Sequence, residues 1–512
     1  MEQQALIKSL DVIDQKPGAL KPVTGLAYHS DKAKPGTLFI CIRGYKTDGH
    51  KYLKNAVDNG AIAAVVEYFQ DDLDIPQYLV ADTRSALAAL ADLFYDHPSQ
   101  KLNLTGVTAT NGKTSTTYML NDILEKSGLT TGLVGTVIVK AGNSIRPADL
   151  TTPESLDLHR YFQEMVDQSV SHAVMEVSSS GLELKRVGSV DFDIVVLNNI
   201  DREHIDLHGS FEAYFNAKAS LVRNAKENSW AVLNLDCPYT ATLMEETRAN
   251  IFSYSLRDEK AHCLVRNLDL STGRASFTVH LNKKDPATLF ANYPASFTIN
   301  LSVLGLHSVY NAMAAILVAL LNGIPVEVIQ EALMSFRGVE RRFELVFEDD
   351  IKVIDDHFAN TGNIHVTLET LQMMDYKNLN MIYAIRGGRG KTVNRENAEA
   401  IAYWVPRLGL KKIIATTSIS HVDEKDVVTP EERDVFKKVM DETGVKAEIY
   451  EQLPEAIAHG LSLTNPGDVL LLAGCQGMDY GAGICLENIH HLKPHLSKDK
   501  VFAALKNRVA GI

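Results

Sequence analysis

The stretch Thr105-Gly106-Val107-Thr108-Ala109-Thr110-Asn111-Gly112-Lys113-Thr114-Ser115 sets glycines, hydroxyls and one lysine between an apolar run and a helical pattern. A turn of that kind presents backbone N–H groups and a helix N-terminus to phosphates, with Lys113 neutralising charge and Thr114 able to reach a bound magnesium. Nucleotide binding is the chemistry this predicts. The usual phosphate loop has four residues between its first glycine and Gly-Lys-Thr; here Gly106 stands five away, and the four-residue pattern would begin at Val107. On spacing alone a structural glycine turn stays open.

Two further side chains fall where such a loop could use them. Glu176 ends the apolar run Ala173 to Val177, and His204 follows the run Ile194 to Leu197. In a parallel sheet the C-terminal ends of such strands converge on one crevice. Lys218 lies in a helix-like stretch, Phe211 to Ala225, where a lysine is ordinarily a solvated surface residue.

The elements that must position these groups can be read from hydrophobic periodicity. Residues 36 to 98 alternate short apolar runs (Thr37 to Ile42, Ala61 to Val66, Tyr78 to Val80) with helical stretches (Tyr52 to Asn59, Ser85 to Phe94), which predicts a small α/β unit. His97-Pro98-Ser99 breaks the pattern, and Leu102 to Thr108 opens a second unit. There Met119, Leu120, Ile123 and Leu124 form one helical face with Gly128 as its stop. Ala173 to Val177, Ile194 to Leu197 and Ala231 to Leu235 read as strands covered on both faces. Alternation at Phe277, Val279 and Leu281, and at Phe297, Ile299 and Leu301, predicts an antiparallel excursion before a helix over Tyr310 to Leu321. A third unit, from about Gly338, repeats the parallel pattern at Met381 to Ile385, Lys412 to Ala415 and Val469 to Ala473. The expected organisation is α/β throughout: a small N-terminal α/β domain over 1–98, a doubly wound parallel-sheet domain carrying the phosphate loop over 99–337 and a Rossmann-like α/β domain over 338–512, with hinges near residues 98 and 337.

With 512 residues, 45% hydrophobic and 22% charged, the chain has length for several cores and no signature of disorder. Its formal charge of −13 disfavours nonspecific nucleic-acid or anionic-membrane partners. Cys41, Cys237, Cys263, Cys475 and Cys485 are scattered, with no C-x-x-C pair, so neither a disulfide framework nor a zinc cluster is expected. No basic-then-apolar leader and no apolar run of about 20 residues is present, so a cytoplasmic location is expected.

The motif Ala109-Thr110-Asn111-Gly112-Lys113-Thr114 resembles the nucleotide loop of the Mur ligases and folylpolyglutamate synthetases, although that family has Gly at the place of Ala109. Further matches follow in the family's order: Thr151-Thr152-Pro153-Glu154, Met175-Glu176-Val177-Ser178-Ser179, Asn199-Ile200-Asp201-Arg202-Glu203-His204-Ile205-Asp206, Ala217-Lys218, Gly305-Leu306-His307 with Asn311, and Arg341-Arg342-Phe343-Glu344. Val23-Thr24-Gly25-Leu26 and Gly44-Tyr45-Lys46-Thr47-Asp48-Gly49-His50 look like the uridine-diphosphate-binding domain of the tripeptide-forming branch.

The resemblance implies an ATP-dependent ligase that joins an amino acid to the carboxylate of a UDP-N-acetylmuramoyl peptide through an acyl phosphate. Its cofactors would be ATP and Mg2+. The nucleotide would be held by Thr110, Asn111, Gly112, Lys113, Thr114, Ser115, His307, Asn311, Arg342 and Asp356. The metal would be held by Thr114, Glu176, His204 and a carbamylated Lys218. The UDP-sugar peptide, or another carboxylate acceptor, and the free amino acid would meet Ser30, Thr151, Thr152, Ser178, Arg186 and Arg389, with Arg386 and Arg395 as further candidates for a carboxylate. Screening by divalent cations and a lysine is what lets ATP approach a carboxylate of its own sign.

Several positions depart from the family pattern. Its Asp-Ser-Arg reads His29-Ser30-Asp31, the histidine after Ser178-Ser179 is Ser180, and the histidine three after Asp356 is Ala359, with His357 nearby. The Asp-Asn-Pro-Arg of diaminopimelate-adding members is replaced by Thr416-Thr417-Ser418-Ile419-Ser420-His421, and Gly-Lys-Gly-His-Glu-Asp-Tyr becomes Gly474-Cys475-Gln476-Gly477-Met478-Asp479-Tyr480. Those changes keep two alternatives open: a diverged amino-acid ligase of secondary metabolism or polymer modification, and a noncatalytic nucleotide-binding partner protein. They also predict that the amine donor is not diaminopimelate, whose distal ammonium and carboxylate would be costly to bury unpaired.

Overall fold

The computed structural model describes residues 1–44, 47–201, 209–282, 292–506 and 508. Two compact units divide the chain: Met1–Ala109 with Leu124–Asn198 and His204–Ser253, and Thr110–Ile123 with Asn199–Glu203 and Tyr254–Ile512.

The first unit contains two sheets. Strands β1 (Val12–Lys16), β2 (Gly25–Ala27), β3 (Thr37–Ile40), β4 (Ala61–Val66) and β5 (Gln77–Val80) lie in the order β1-β5-β4-β3-β2, parallel except at β1. Alternate residues of β3 and β4 enter different cores, Leu38, Ile40, Ala63 and Val65 on one face and Phe39, Ala64 and Val66 on the other, which is why both strands read as unbroken apolar runs. Helix Thr83–Phe94 closes the first face, its N-terminus capped by Asp82 on the N–H groups of Arg84 and Ser85.

The second sheet carries β6 (Asn103–Thr108), β7 (Thr131–Val134), β8 (Ile138–Ala141), β9 (Ser144–Pro147), β10 (His172–Glu176), β11 (Ile194–Leu197) and β12 (Trp230–Asn234), in the order β12-β11-β6-β10-β7-β8-β9. Strands β12 through β7 are parallel, and β8 and β9 form an antiparallel hairpin at the edge that the apolar pattern did not announce. β10 and β11 flank β6, so the residues that follow these three strands emerge at neighbouring points on one sheet edge.

In the second unit, the end of β13 (Asn250–Ser255) runs parallel to β14 (Cys263–Asp269), which continues into the antiparallel pair β15 (Arg274–Leu281) and β16 (Ser296–Leu304). The expected alternation holds there, with Phe277 opposite Ile299 and Val279 opposite Phe297. Helix Leu306–Leu321 follows, starting four residues before the reading from periodicity. A further sheet has the order β17 (Glu344–Glu348), β18 (Lys352–Asp356), β22 (Val469–Gly474), β19 (Leu379–Ala384), β20 (Ile413–Thr416) and β21 (Ala447–Tyr450), all parallel except the edge strand β17. Its two faces bury separate clusters, one around Tyr383, Phe358 and Phe436, the other around Ile382, Leu470 and Met478. Among the described residues no helix is long and apolar enough to cross a membrane.

Candidate active site

Strand β6 runs into the loop Ala109–Gly112, and helix Lys113–Lys126 starts at the expected lysine. The loop is tied down by Asn199. Its backbone O accepts the Thr110 N–H at 2.9 Å, its Oδ1 accepts the Asn111 N–H at 2.9 Å, and its Nδ2 donates to Asn111 O at 2.9 Å. The Asp201 N–H donates to Thr110 Oγ1 at 2.9 Å. These ties aim the loop towards the first turn of the helix, where N–H groups lack intrahelical partners and the dipole favours anions. Gly112 takes φ +89°, Asn363 Nδ2 donates to Asn111 Oδ1 at 2.6 Å, and Thr116 Oγ1 donates to Asn311 Oδ1 at 3.4 Å. The Lys113 ammonium lies back on the carbonyl of Thr110 at 3.1 Å. His307 and Asn311 share a helix face as the four-residue spacing required, and burial lowers the His307 pKa to about 4, so the ring is neutral. Thr370 Oγ1 stands 3.4 Å from its Nδ1.

In the first unit, Glu176 is fully buried at the end of β10. The Thr136 N–H donates to its Oε1 at 2.7 Å, and Thr136 Oγ1 donates to its Oε2 at 3.0 Å and lies 3.1 Å from Thr151 Oγ1. A β-carbon on Gly135 would meet Glu176 Oε1 at 2.5 Å, so only glycine lets the chain pass so near the carboxylate. Thr136 is a site residue the sequence reading missed. Thr152 Oγ1 donates to Glu176 O and accepts the Ser178 N–H, both at 2.9 Å, while Ser178 Oγ caps the short helix Ser179–Glu183 through Gly181 N–H at 3.0 Å. Lys218, on helix Phe211–Arg223, is 1% exposed; its Nζ donates to Ala109 O at 2.7 Å and lies 5.0 Å from the centre of the Tyr214 ring. It is thus buried against the Ala109 carbonyl instead of facing solvent as an average helical lysine does. Ser30 is buried beside the exposed Asp31.

Arg186 pairs with Glu154 at 2.9 Å and donates to Thr152 O at 3.0 Å, and Arg84 holds the other Glu154 oxygen at 3.0 Å. Asp356 spends both oxygens internally, on the Phe343 N–H at 2.9 Å and the Thr367 hydroxyl, and burial raises its pKa. Met478, which stands where the family motif has its glutamate, is fully buried in the apolar core. Arg395 pairs with Glu399 at 3.4 Å and Glu442 at 3.6 Å on a helix surface. Arg389 is exposed, with no ion pair among the described residues. His204 lies outside the described residues. Among those described, no group of three or more His, Cys, Asp and Glu gathers to hold a metal.

The second unit thus carries a phosphate loop at a helix N-terminus, and the first buries the Glu176 carboxylate and the Lys218 amine. The chain belongs to the Mur ligase family and is an ATP-dependent, ADP-forming amide-bond ligase: in chain order it matches the models described as Mur ligase family, catalytic domain (residues 22–95), Mur ligase middle domain (107–319) and Mur ligase, glutamate ligase domain (341–476). Among its relatives is a UDP-N-acetylmuramoyl-L-alanyl-D-glutamate--2,6-diaminopimelate ligase of Caldanaerobacter subterraneus subsp. tengcongensis, 36% identical over 88% of this chain and 89% of that one. Another of the same name, from Clostridium botulinum, is 33% identical over 94% and 95%. Of solved structures, a MurF ligase from Thermotoga maritima in complex with ADP aligns with a TM-score of 0.63 at 18% identity, covering 92% of this chain and 98% of that one.

Proposed function

We propose that this ligase adds an amino acid to the terminal carboxylate of a UDP-N-acetylmuramoyl dipeptide, as a step in building the peptidoglycan precursor. The observation that carries the reading is the agreement, over about nine tenths of both chains, with ligases named for that acceptor. Neither a ligase of unrelated acceptors nor a noncatalytic partner gains support from these relatives. The domain limits 1–98, 99–337 and 338–512 stay part of the proposal, and each matched family segment falls within one of them.

The chemistry follows from the residues. Lys113 and the helix N-terminus screen the γ-phosphoryl group while the acceptor carboxylate attacks phosphorus and ADP leaves; the amine then attacks the acyl phosphate, forming the amide and releasing phosphate. Thr114, Glu176, His204 and a carbamylated Lys218 are the proposed magnesium holders, and oxygen donors such as Thr114 and Glu176 suit a hard cation that takes its other ligands from phosphates and water. When bound, magnesium supplies charge neutralisation between nucleotide and carboxylate. Thr136 fixes the Glu176 carboxylate in place by two hydrogen bonds. Arg342 is proposed for the ATP phosphates, Arg389 with Arg386 for the carboxylate of the amino acid, and Ser30, Thr151, Thr152 and Ser178 for the UDP-sugar peptide. For the amine donor we propose an amino acid without a distal ammonium and carboxylate. Where diaminopimelate-adding members have Asp and Arg, this chain offers the fully buried Ser418, hydrogen-bonded to Thr416, and His421.

The test incubates the enzyme with ATP, magnesium, UDP-N-acetylmuramoyl-L-alanyl-D-glutamate and mixtures of diaminopimelate, lysine and neutral amino acids, scoring products by mass. Ligation to that acceptor is expected, and no product with it would refute the acceptor. Preferred incorporation of diaminopimelate would refute the donor. Lys113→Ala should lower turnover by roughly 100-fold or more.

A further inference from the structure

The loop from Arg386 to Gly390 leaves β19 and enters helix Gly390–Trp404. Asn394 braces it from within that helix: its Nδ2 donates to Arg386 O at 2.8 Å and Gly390 O at 3.1 Å, and its Oδ1 accepts the Arg386 N–H at 3.3 Å. On the other side the backbone of Gly387 and Gly388 passes so close to the carbonyls of Asp426 and Lys425 that a β-carbon on either glycine would overlap them.

Between these supports stands the carboxylate of Glu432, 2% exposed. Its Oε1 accepts the N–H groups of Arg389 at 2.9 Å and Gly390 at 2.6 Å, and its Oε2 accepts that of Gly388 at 3.3 Å. The same Oε2 accepts the N–H of Thr429 at 2.9 Å, completing a capping box on helix Pro430–Thr443. One side chain therefore caps its own helix and fills a nest of three consecutive amides at the start of another. Nests at helix starts ordinarily receive the carboxylate or phosphate of a ligand. Burial alone would raise the Glu432 pKa, but the N–H groups of Thr429, Gly390, Arg389 and Gly388 offset this and hold it below the usual range, so the nest keeps its anion at neutral pH.

The loop carries two of the arginines assigned above to the amino-acid carboxylate. Arg386 donates through Nη1 to Ala359 O, while its buried Nε has no hydrogen-bond partner. We propose that Glu432 is a positioning residue for the incoming amino acid: it occupies the backbone nest in place of the substrate carboxylate and sets the loop so that the guanidinium groups of Arg386 and Arg389 receive that carboxylate. The inference rests on the carboxylate role given to Arg389 under the proposed function.

The test uses the full chain with Glu432→Ala and Glu432→Gln, the latter keeping size and one acceptor oxygen. Losing a charge-assisted contact predicts a roughly tenfold or greater rise in KM for the amine donor found in the mass-scored competition, with the KM for ATP unchanged. Sodium formate, small enough to enter the emptied nest, should lower that KM again in Glu432→Ala and restore slow hydrogen exchange at the amides of 388–390. A parallel fall in kcat with no change in the donor KM, or no response to formate by either readout, overturns the proposal. Arg389→Ala separates the two readings. A normal donor KM in that variant removes the carboxylate role itself, whereas a raised KM there with a normal one in both Glu432 variants removes only the positioning role.

Discussion

Gly112 and Asn311 are fitted to one another: a β-carbon on Gly112 would overlap the side-chain oxygen of Asn311, and the glycine holds φ +89°, where an L side chain is strained. The nucleotide loop thus rests directly on the helix that carries His307.

Gly112→Ala should therefore weaken nucleotide binding by at least about tenfold, through backbone strain as well as overlap. Adding Asn311→Ala relieves the overlap but also removes a side chain expected to contact the nucleotide, so the double variant should stay below wild-type affinity. Titration with a fluorescent ATP analogue measures both, and wild-type affinity in Gly112→Ala would refute this fit.

Lys218 is expected to act as a carbamate, which would convert a buried cation against the Ala109 carbonyl into an anion able to bridge towards magnesium. Lys218→Ala should be inactive and regain part of its turnover with short carboxylic acids. Labelling with 13C bicarbonate should give a carbamate resonance in the active enzyme; a free amine in active enzyme would end the proposal.

Adjacent arginines should fail differently. Arg341, 4% exposed, pairs with Asp355 at 3.5 Å and with Asp479 and donates to Cys475 O at 3.1 Å, so Arg341→Met strips buried acceptors of their donor, although Asp355 keeps Arg508, and should cost about 1–3 kcal/mol of stability. Arg342 makes no ion pair among the described residues, and Arg342→Ala should raise the KM for ATP while leaving the thermal midpoint in place. Thermal unfolding beside ATP kinetics distinguishes the two.

The neutral His307 predicts a pH dependence. Its native pKa of about 4 lies below the ordinary 6.5, so on acidification the unfolded chain binds a proton before the folded one does. Its contribution is whole above pH 6.5 and is lost as pH falls from there towards 4. Desolvation, with the charges of Arg342, Arg341 and Arg386, lowers the half-buried His357 in the same sense. Wild type should lose thermal stability over that window more steeply than His307→Gln; parallel curves would count against the neutral ring.

Strands such as β4 and β11 were legible to the residue because both their faces are apolar, and Lys113 because a phosphate loop must pass into a helix there. What escaped the sequence was set by partners far along the chain. Thr136 matters through Glu176, forty residues away, and Glu432 through amides at 388–390. The Arg186–Glu154 ion pair escaped because Glu154 belongs to a motif quoted for another purpose. Met478 occupies a motif position, yet the 3-10 turn Gln476–Met478 rotates it into the core.

All five cysteines are buried and none forms a disulfide among the described residues, and burial pushes the thiols of Cys41, Cys263, Cys475 and Cys485 up, away from the reactive thiolate. An alkylating reagent therefore finds nothing to modify until some part of the fold opens. Cys41 follows β3, Cys237 follows β12, Cys263 begins β14, and Cys475 and Cys485 follow β22, so the order in which peptides gain reagent mass reports which region breathes first. The native chain is its own set of timers for local unfolding, with no introduced label.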